Sequence, residues 1–195
     1  MTFLAKAKSY SREQFSERFN RLDFSKATWN PTMMVLHHTD TPTLARWLDK
    51  STAPADRTVN LRNYYRNILG WHSGPHWLVA PDGIWEFCDP LEDGVHCSCC
   101  NHVAFGCAMV GNFDKEAFDI GPGAEVRDNS VHLLAVVFNK MGWQPDPLIL
   151  WNKGLAFHSE CEHDHNSCPG KNVDRDDIVR RVSKRMSELK VGVGV

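Results

Sequence analysis

Histidines and cysteines at two distant points of the 195-residue sequence are of the types that bind metals. An apolar run ends in His37 and His38, which Thr39 follows, and residues 158–170 form a second group rich in His, Cys and acidic residues. Catalytic zinc usually takes three protein ligands from His, Cys and carboxylates and leaves a fourth position to water. The sequence therefore suggests one zinc ion shared by an early strand and the last loop.

The composition is that of an ordinary globular protein and limits the possible partners. The chain is 42% hydrophobic and 24% charged, with a formal net charge of −2. This balance argues against a general nucleic-acid binder, which would usually be basic. No apolar run approaches the roughly 18 residues of a membrane span, so no stable membrane insertion is expected. The N-terminus lacks the pattern of a signal peptide, which predicts synthesis in the cytoplasm, and we expect a monomer.

Seven cysteines are present, and their odd number without an export signal argues against a disulfide framework. Cys88 and Cys107 fall on predicted strands and are expected in the core. Cys97, Cys99 and Cys100 form a tight cluster, for which two interpretations stay open. They bind a second metal, or they are reduced thiols at the surface or in the packing.

The pattern of apolar residues predicts helices mixed with strands. Residues 1–28 are expected to hold a leader helix that starts at a capping box of Ser11 and Gln14, with residues 29–190 forming one catalytic domain. Residues 113–129, polar and rich in glycine, are expected to cross the surface. Strands are predicted at residues 33–37, 77–80, 84–87, 104–110 and 148–151, and helices at 59–69, 131–141 and 176–189. This order predicts an α/β single domain.

Five motifs follow one another along the chain. They are Leu36-His37-His38-Thr39, Gly74-Pro75-His76-Trp77-Leu78-Val79 with Asp82-Gly83, Gly94-Val95-His96 with Asn101, Val110-Gly111-Asn112, and His158 with Cys168-Pro169-Gly170. In this order they resemble a known family, the zinc-dependent N-acetylmuramoyl-L-alanine amidases, which include phage endolysins and animal peptidoglycan recognition proteins. The resemblance covers residues 29–182, nearly the whole chain.

The resemblance implies a central mixed β-sheet flanked by helices, with a Zn²⁺ site in a surface groove. It implies His38, His158 and Cys168 as the zinc ligands. His37 is the alternative to His38, because neighbouring side chains of a strand point to opposite faces and both cannot easily reach one ion. Three nearby residues compete with His158 and Cys168 as ligands, and with Cys168 they would also make a zinc loop by themselves: Cys161, His163 and His165.

The implied reaction is hydrolysis of the amide between N-acetylmuramic acid and L-alanine of peptidoglycan. His165 is predicted to stabilise the oxyanion. Some family members use as general base a Tyr that corresponds here to Pro75, and others a Glu that corresponds to Ala108. Both usual bases are therefore missing, and Glu86 is predicted to substitute. His76 and Glu160 are the alternatives to Glu86 as the base.

His96 and Asn101 match family positions that line the substrate groove, and they are predicted to contact substrate or to support the groove. His76 is also predicted to contact substrate. The leading hypothesis is a phage or prophage endolysin that reaches the cell wall through a holin. The alternatives are a peptidoglycan-binding protein without activity, a cytoplasmic amidase that recycles soluble muropeptides, and a structural zinc protein.

Overall fold

A six-stranded mixed β-sheet forms the centre of the molecule. The computed structural model describes residues 3–145, 154–161 and 167–191. The strands are β1 (Phe3–Tyr10), β2 (Met33–His38), β3 (Trp77–Ala80), β4 (Gly83–Cys88), β5 (Ala104–Met109) and β6 (Leu155–Phe157). They lie in the order β1-β4-β3-β5-β2-β6, in which β3, β5, β2 and β6 run parallel and β4 runs antiparallel to both its neighbours.

Helices cover both faces of this sheet, which confirms the predicted α/β architecture. The helices are α1 (Arg12–Asn20), α2 (Leu44–Leu48), α3 (Pro54–Asn67), α4 (Gly121–Met141) and α5 (Arg175–Val191). Buried residues of α1, α4 and α5 form one large core with one face of the sheet. A second core, which includes Trp47 of α2 and Leu61 of α3, covers part of the opposite face. Among the described helices, none has both the length and the apolar character needed to cross a membrane.

The two faces of β2 decide where its side chains go. Met34 and Leu36 lie in the large core, whereas Met33 and Val35 pack in a small cluster on the opposite face. Side chains alternate along a strand, so His37 shares the face of Val35. Because β2 and β6 are parallel, their carboxyl ends meet at one edge of the sheet. His158 follows β6 directly and therefore comes to the end of β2.

Two segments differ from the predictions. The N-terminal residues form β1, an edge strand paired with β4, although only the helix that follows Ser11 was expected. The capping box of Ser11 and Gln14 is confirmed. The predicted surface crossing through residue 129 is wrong, because α4 starts at Gly121 and already buries Val126. The predicted strand at 148–151 lies outside the described residues.

Candidate metal centre

Three side chains converge where β2 and β6 end. Nitrogen atoms of His37 and His158 and the sulfur of Cys168 all lie within 4.8 Å of one another. His37 and Cys168 are buried and His158 is half-buried, so the group opens to solvent on one side. Two imidazoles and one thiol make a ligand set typical of a zinc ion with one open position. The residues present therefore fit zinc.

Hydrogen bonds assign the nitrogen that His37 turns toward this group. Nε2 of His96 lies 2.9 Å from the carbonyl oxygen of Ala104 and must donate its proton there. Nδ1 of the neutral His96 is then an acceptor, and Nε2 of His37, at 3.1 Å, donates to it. This leaves the lone pair of His37 on Nδ1, which lies 3.8 Å from Sγ of Cys168. Burial and the neighbouring His96 lower the pKa of His37 well below its ordinary value, which favours the neutral form that binds metals.

His38, which the sequence favoured as the first ligand, has a different environment from His37. Its side chain projects to the other face of β2, and its Nδ1 accepts a hydrogen bond of 3.1 Å from the backbone N–H of Phe113. Only its backbone reaches the group, because its N–H donates to the sulfur of Cys168 at 3.3 Å. The alternation of side chains follows from the strand itself, but the sequence pattern does not tell which face holds the site. The geometry therefore replaces His38 with His37.

His96 and Asn101 support the group from behind. The ring of His96 lies against Gly106 of β5 so closely that a Cβ atom there would sit 2.5 Å from it. Oδ1 of Asn101 accepts hydrogen bonds of 2.8 Å from the backbone N–H groups of His96 and Cys97. Burial lowers the pKa of His96 to about 4, so its ring is neutral in the bond to His37. Of the two predicted roles, the contacts favour support of the groove.

His76, which was predicted to contact substrate, is fully buried instead. Its Nδ1 accepts a 3.0 Å bond from the N–H of Gly106, and its Nε2 donates to the carbonyl oxygen of Glu92 at 3.0 Å. The ring of Trp29 stacks on it with centroids 5.1 Å apart, a contact that the sequence did not reveal. Burial lowers its pKa to about 3. His76 therefore joins the sheet to its loops and cannot reach a substrate or act as the base.

Glu86, predicted as a base, lies on the wrong face of the sheet. Its register partner on the neighbouring strand β3 is Trp77, a residue of the large core under α1 and α4. Its carboxylate forms a 2.9 Å ion pair with Arg18 of α1. Burial raises the pKa of Glu86 despite this partner. The sheet separates Glu86 from His37, so the ion pair of Glu86 with Arg18 is structural.

Glu160, the remaining candidate within the described residues, lies near the end of β6. Glu160 accepts the backbone N–H of Phe157 at 2.8 Å and pairs with Arg175 at 2.8 Å, so its carboxylate holds this turn in place. His163 and His165 lie outside the described residues. The role predicted for His165 therefore stays a prediction.

Ala108 and Pro75 occupy the positions of the two usual bases. Ala108 of β5 is the direct neighbour of His37 in the strand register and lies on the same face. A carboxylate at position 108 would therefore be next to the group, and a methyl stands there instead. Pro75 is buried two residues before the start of β3.

A cavity of about 740 Å³ opens beside this edge of the sheet. Its wall includes Thr39 and Asp40, which follow the end of β2, together with Arg46 and Arg57. Nε of Arg57 is buried, and no described atom accepts a hydrogen bond from it. The cavity wall thus carries two guanidinium groups together with the carboxylates of Asp40 and Asp49.

The comparisons with known proteins point to one family. A family model described as N-acetylmuramoyl-L-alanine amidase matches residues 27–171. This range includes His37, His158 and Cys168. No curated protein sequence matches the chain.

Solved structures show the same fold at low sequence identity. The endolysin N-acetylmuramoyl-L-alanine amidase LysCS from Clostridium intestinale URNW has a TM-score of 0.54 and 24% identity, covering 80% of this chain and 85% of that chain. Wild-type Drosophila PGRP-LB has a TM-score of 0.54 and 16% identity, with coverages of 80% and 82%. Peptidoglycan recognition protein-LE in complex with tracheal cytotoxin has a TM-score of 0.55 and 18% identity, with coverages of 77% and 81%.

Proposed function

The chain belongs to the N-acetylmuramoyl-L-alanine amidase family, and from this premise we propose that it hydrolyses the amide bond between N-acetylmuramic acid and L-alanine in peptidoglycan with zinc as cofactor. The observation that carries the proposal is the convergence of His37, His158 and Cys168 within 4.8 Å at an open edge of the sheet. We propose these three residues as the zinc ligands. When bound, zinc would supply Lewis acidity toward the scissile carbonyl and a more acidic water.

The residues of the chain perform the remaining tasks. His96 holds His37 in the tautomer with a free Nδ1 lone pair, as outer ligands of metal sites commonly do. His165 is proposed to stabilise the oxyanion of the tetrahedral intermediate. No described residue is assigned as the base, since Glu86 pairs with Arg18 on the other face of the sheet and His76 is fully buried.

The cavity beside the group is proposed to bind the stem peptide. Arg46 and Arg57 line it, and a stem peptide carries carboxylates that would pair with guanidinium groups. The buried Nε of Arg57 would gain an acceptor when such a peptide binds.

The biological role that we propose is lysis of the cell wall as a phage or prophage endolysin, after release through a holin. The likeness to LysCS, which is named an endolysin, agrees with this role. A cytoplasmic amidase that recycles muropeptides would act on the same bond in soluble fragments. Comparing the rate on intact sacculi with the rate on soluble muropeptides separates these two roles.

Binding without hydrolysis is the second candidate function. Pro75 and Ala108 at the positions of the usual bases favour it, since neither side chain can accept a proton. The fold is also shared with peptidoglycan recognition protein-LE, whose structure holds a monomeric peptidoglycan fragment. This candidate predicts that sacculi retain the protein while no stem peptide appears in solution.

The decisive experiment measures stem peptide released from purified sacculi together with the zinc content of the protein. The variants are Cys168→Ala and, as a matched control, Cys107→Ala, which alters a buried thiol on the opposite face of the sheet. We expect the native protein and the control to release stem peptide, and Cys168→Ala to lose release together with one zinc. Zinc-loaded native protein that binds sacculi and releases nothing would reject the amidase and establish the binding function.

A further inference from the structure

A second group of sulfur atoms lies on the same face of the sheet as the candidate metal centre and shares no residue with it. The sulfurs of Cys97, Cys99 and Cys161 all lie within 4.8 Å of one another. Cys97 and Cys161 are buried in the small cluster under Met33 and Val35, whereas Cys99 is exposed. The group therefore has a buried floor and an open side.

A disulfide accounts for only two of these three sulfurs. Cys99 and Cys161 are joined, although the sequence argued against disulfides. The sulfur of Cys97 lies 3.3 Å from that of Cys99. When the disulfide is reduced, three thiols therefore meet at one point. Thiolates are soft ligands that select zinc and similar soft ions over magnesium or calcium.

We propose that the reduced chain binds a second zinc ion through Cys97, Cys99 and Cys161, and that oxidation to the disulfide excludes this ion. Three thiolates with a fourth donor make a common tetrahedral zinc site. The proposal does not depend on the amidase activity, because none of its ligands belongs to the first group.

The backbone around these cysteines is arranged before any metal binds. The N–H groups of Cys100 and Asn101 donate to the carbonyl oxygen of Cys97 at 3.1 and 3.0 Å, which closes a tight turn. This turn presents Cys97 and Cys99 toward Cys161. The N–H of Cys161 donates in turn to the carbonyl oxygen of His158 at 3.0 Å. The second ion would thus join the segment that carries His96 to the segment that carries His158, so it would stiffen both sides of the first site.

A dithiol reductant supplies the electrons and protons that convert the disulfide into the thiols of the zinc site. The dithiol gives two electrons and two protons to the Cys99–Cys161 bond, which breaks into two thiols while the reductant forms its own disulfide. Zinc then replaces the protons of the three thiols. Oxidation of Cys99 and Cys161 would release the ion, because a disulfide no longer offers thiolates.

Metal content of the full chain tests the proposal. The native protein and the variants Cys97→Ser, Cys99→Ser and Cys168→Ala, the double variant Cys97→Ser/Cys168→Ala and the control Cys107→Ala are reduced with dithiothreitol, loaded with Zn²⁺ and freed of excess metal. Circular dichroism verifies their folding. Because Cys99 is exposed, Cys99→Ser should disturb the packing less than the variants of buried cysteines.

We expect two zinc ions in the reduced native chain and in Cys107→Ala, one in each of the other single variants, and none in the double variant. Loading with Co²⁺ should give Cys168→Ala a strong thiolate-to-cobalt charge-transfer band, which Cys97→Ser/Cys168→Ala lacks. The oxidised native chain should hold one zinc fewer than the reduced chain. A reduced Cys168→Ala chain without bound metal would overturn the second site, and so would undiminished metal in Cys97→Ser. Loss of metal only in Cys168→Ala would support the first site and reject the second.

Discussion

Nε2 of His37 lies 3.1 Å from Nδ1 of His96, and this contact determines which nitrogen of His37 faces Cys168. His96 is itself fixed by the carbonyl oxygen of Ala104 on one side and by Gly106 beneath its ring. A chain of hydrogen bonds therefore runs from the backbone of β5 to the candidate ligand. Burial, reinforced by His96, lowers the pKa of His37 and keeps its ring neutral.

The first prediction separates the two adjacent histidines. His37→Ala removes a donor from the group, so zinc affinity should fall by more than about 100-fold, beyond the effect of losing an outer partner. His38→Ala should retain zinc, because that side chain accepts a hydrogen bond from Phe113 on the other face. Titration of zinc against a competing chelator measures both variants. Retained zinc in His37→Ala with loss in His38→Ala would reverse the assignment.

The second prediction concerns the outer partner His96. His96→Leu leaves the three ligands in place but frees His37 to rotate and to change tautomer. Zinc affinity should fall by roughly 10- to 100-fold, as it does when outer partners of metal ligands are lost. His102→Leu is the matched control, because His102 is an exposed histidine six residues further along the chain. Equal affinities of the two variants for zinc would show that His96 does not orient the ligand.

The sequence predicted most strands, because apolar runs and turn residues define them locally, and it predicted that an early strand and the last loop share one site. The face of β2 could not be predicted in this way, since His37 and His38 follow the same apolar run and only the packing of α4 and α5 distinguishes them. Similarly, Glu86 has the right residue type, but its position depends on an ion pair with Arg18, 68 residues away. The Cys99–Cys161 pair also joins distant segments.

The third prediction tests whether Glu86 is structural. Arg18→Met leaves the buried carboxylate of Glu86 without its cation, which should lower the free energy of unfolding by about 1–3 kcal/mol. Glu86→Gln should lower the free energy of unfolding by less, because Arg18 is partly exposed and water can solvate it. Denaturant titration measures both effects. Release of stem peptide by Glu86→Gln should match that of the native protein, and a complete loss of release in a stably folded variant would restore Glu86 as the base.

The fourth prediction follows from His132 of α4, which is buried between α1 and α5. Its Nε2 donates to the carbonyl oxygen of Arg12 at 2.7 Å, and its Nδ1 accepts from Nε of Arg185 at 3.2 Å. A proton on Nδ1 would meet the guanidinium group of Arg185. Burial, reinforced by this guanidinium group, lowers the pKa of His132 to about 4.

The pH dependence of stability should therefore include a contribution from His132. The unfolded chain takes up a proton near pH 6.5, whereas the folded chain resists until about pH 4. The contribution is complete above pH 6.5 and is lost as the pH falls toward 4, at up to about 1.4 kcal/mol per pH unit. Urea titrations at several pH values in this range give the free energy of unfolding. Its slope against pH should be shallower for His132→Gln than for the native protein. The exposed His102→Gln should keep the native slope, and parallel slopes for all three proteins would show that His132 titrates alike in the folded and unfolded chains.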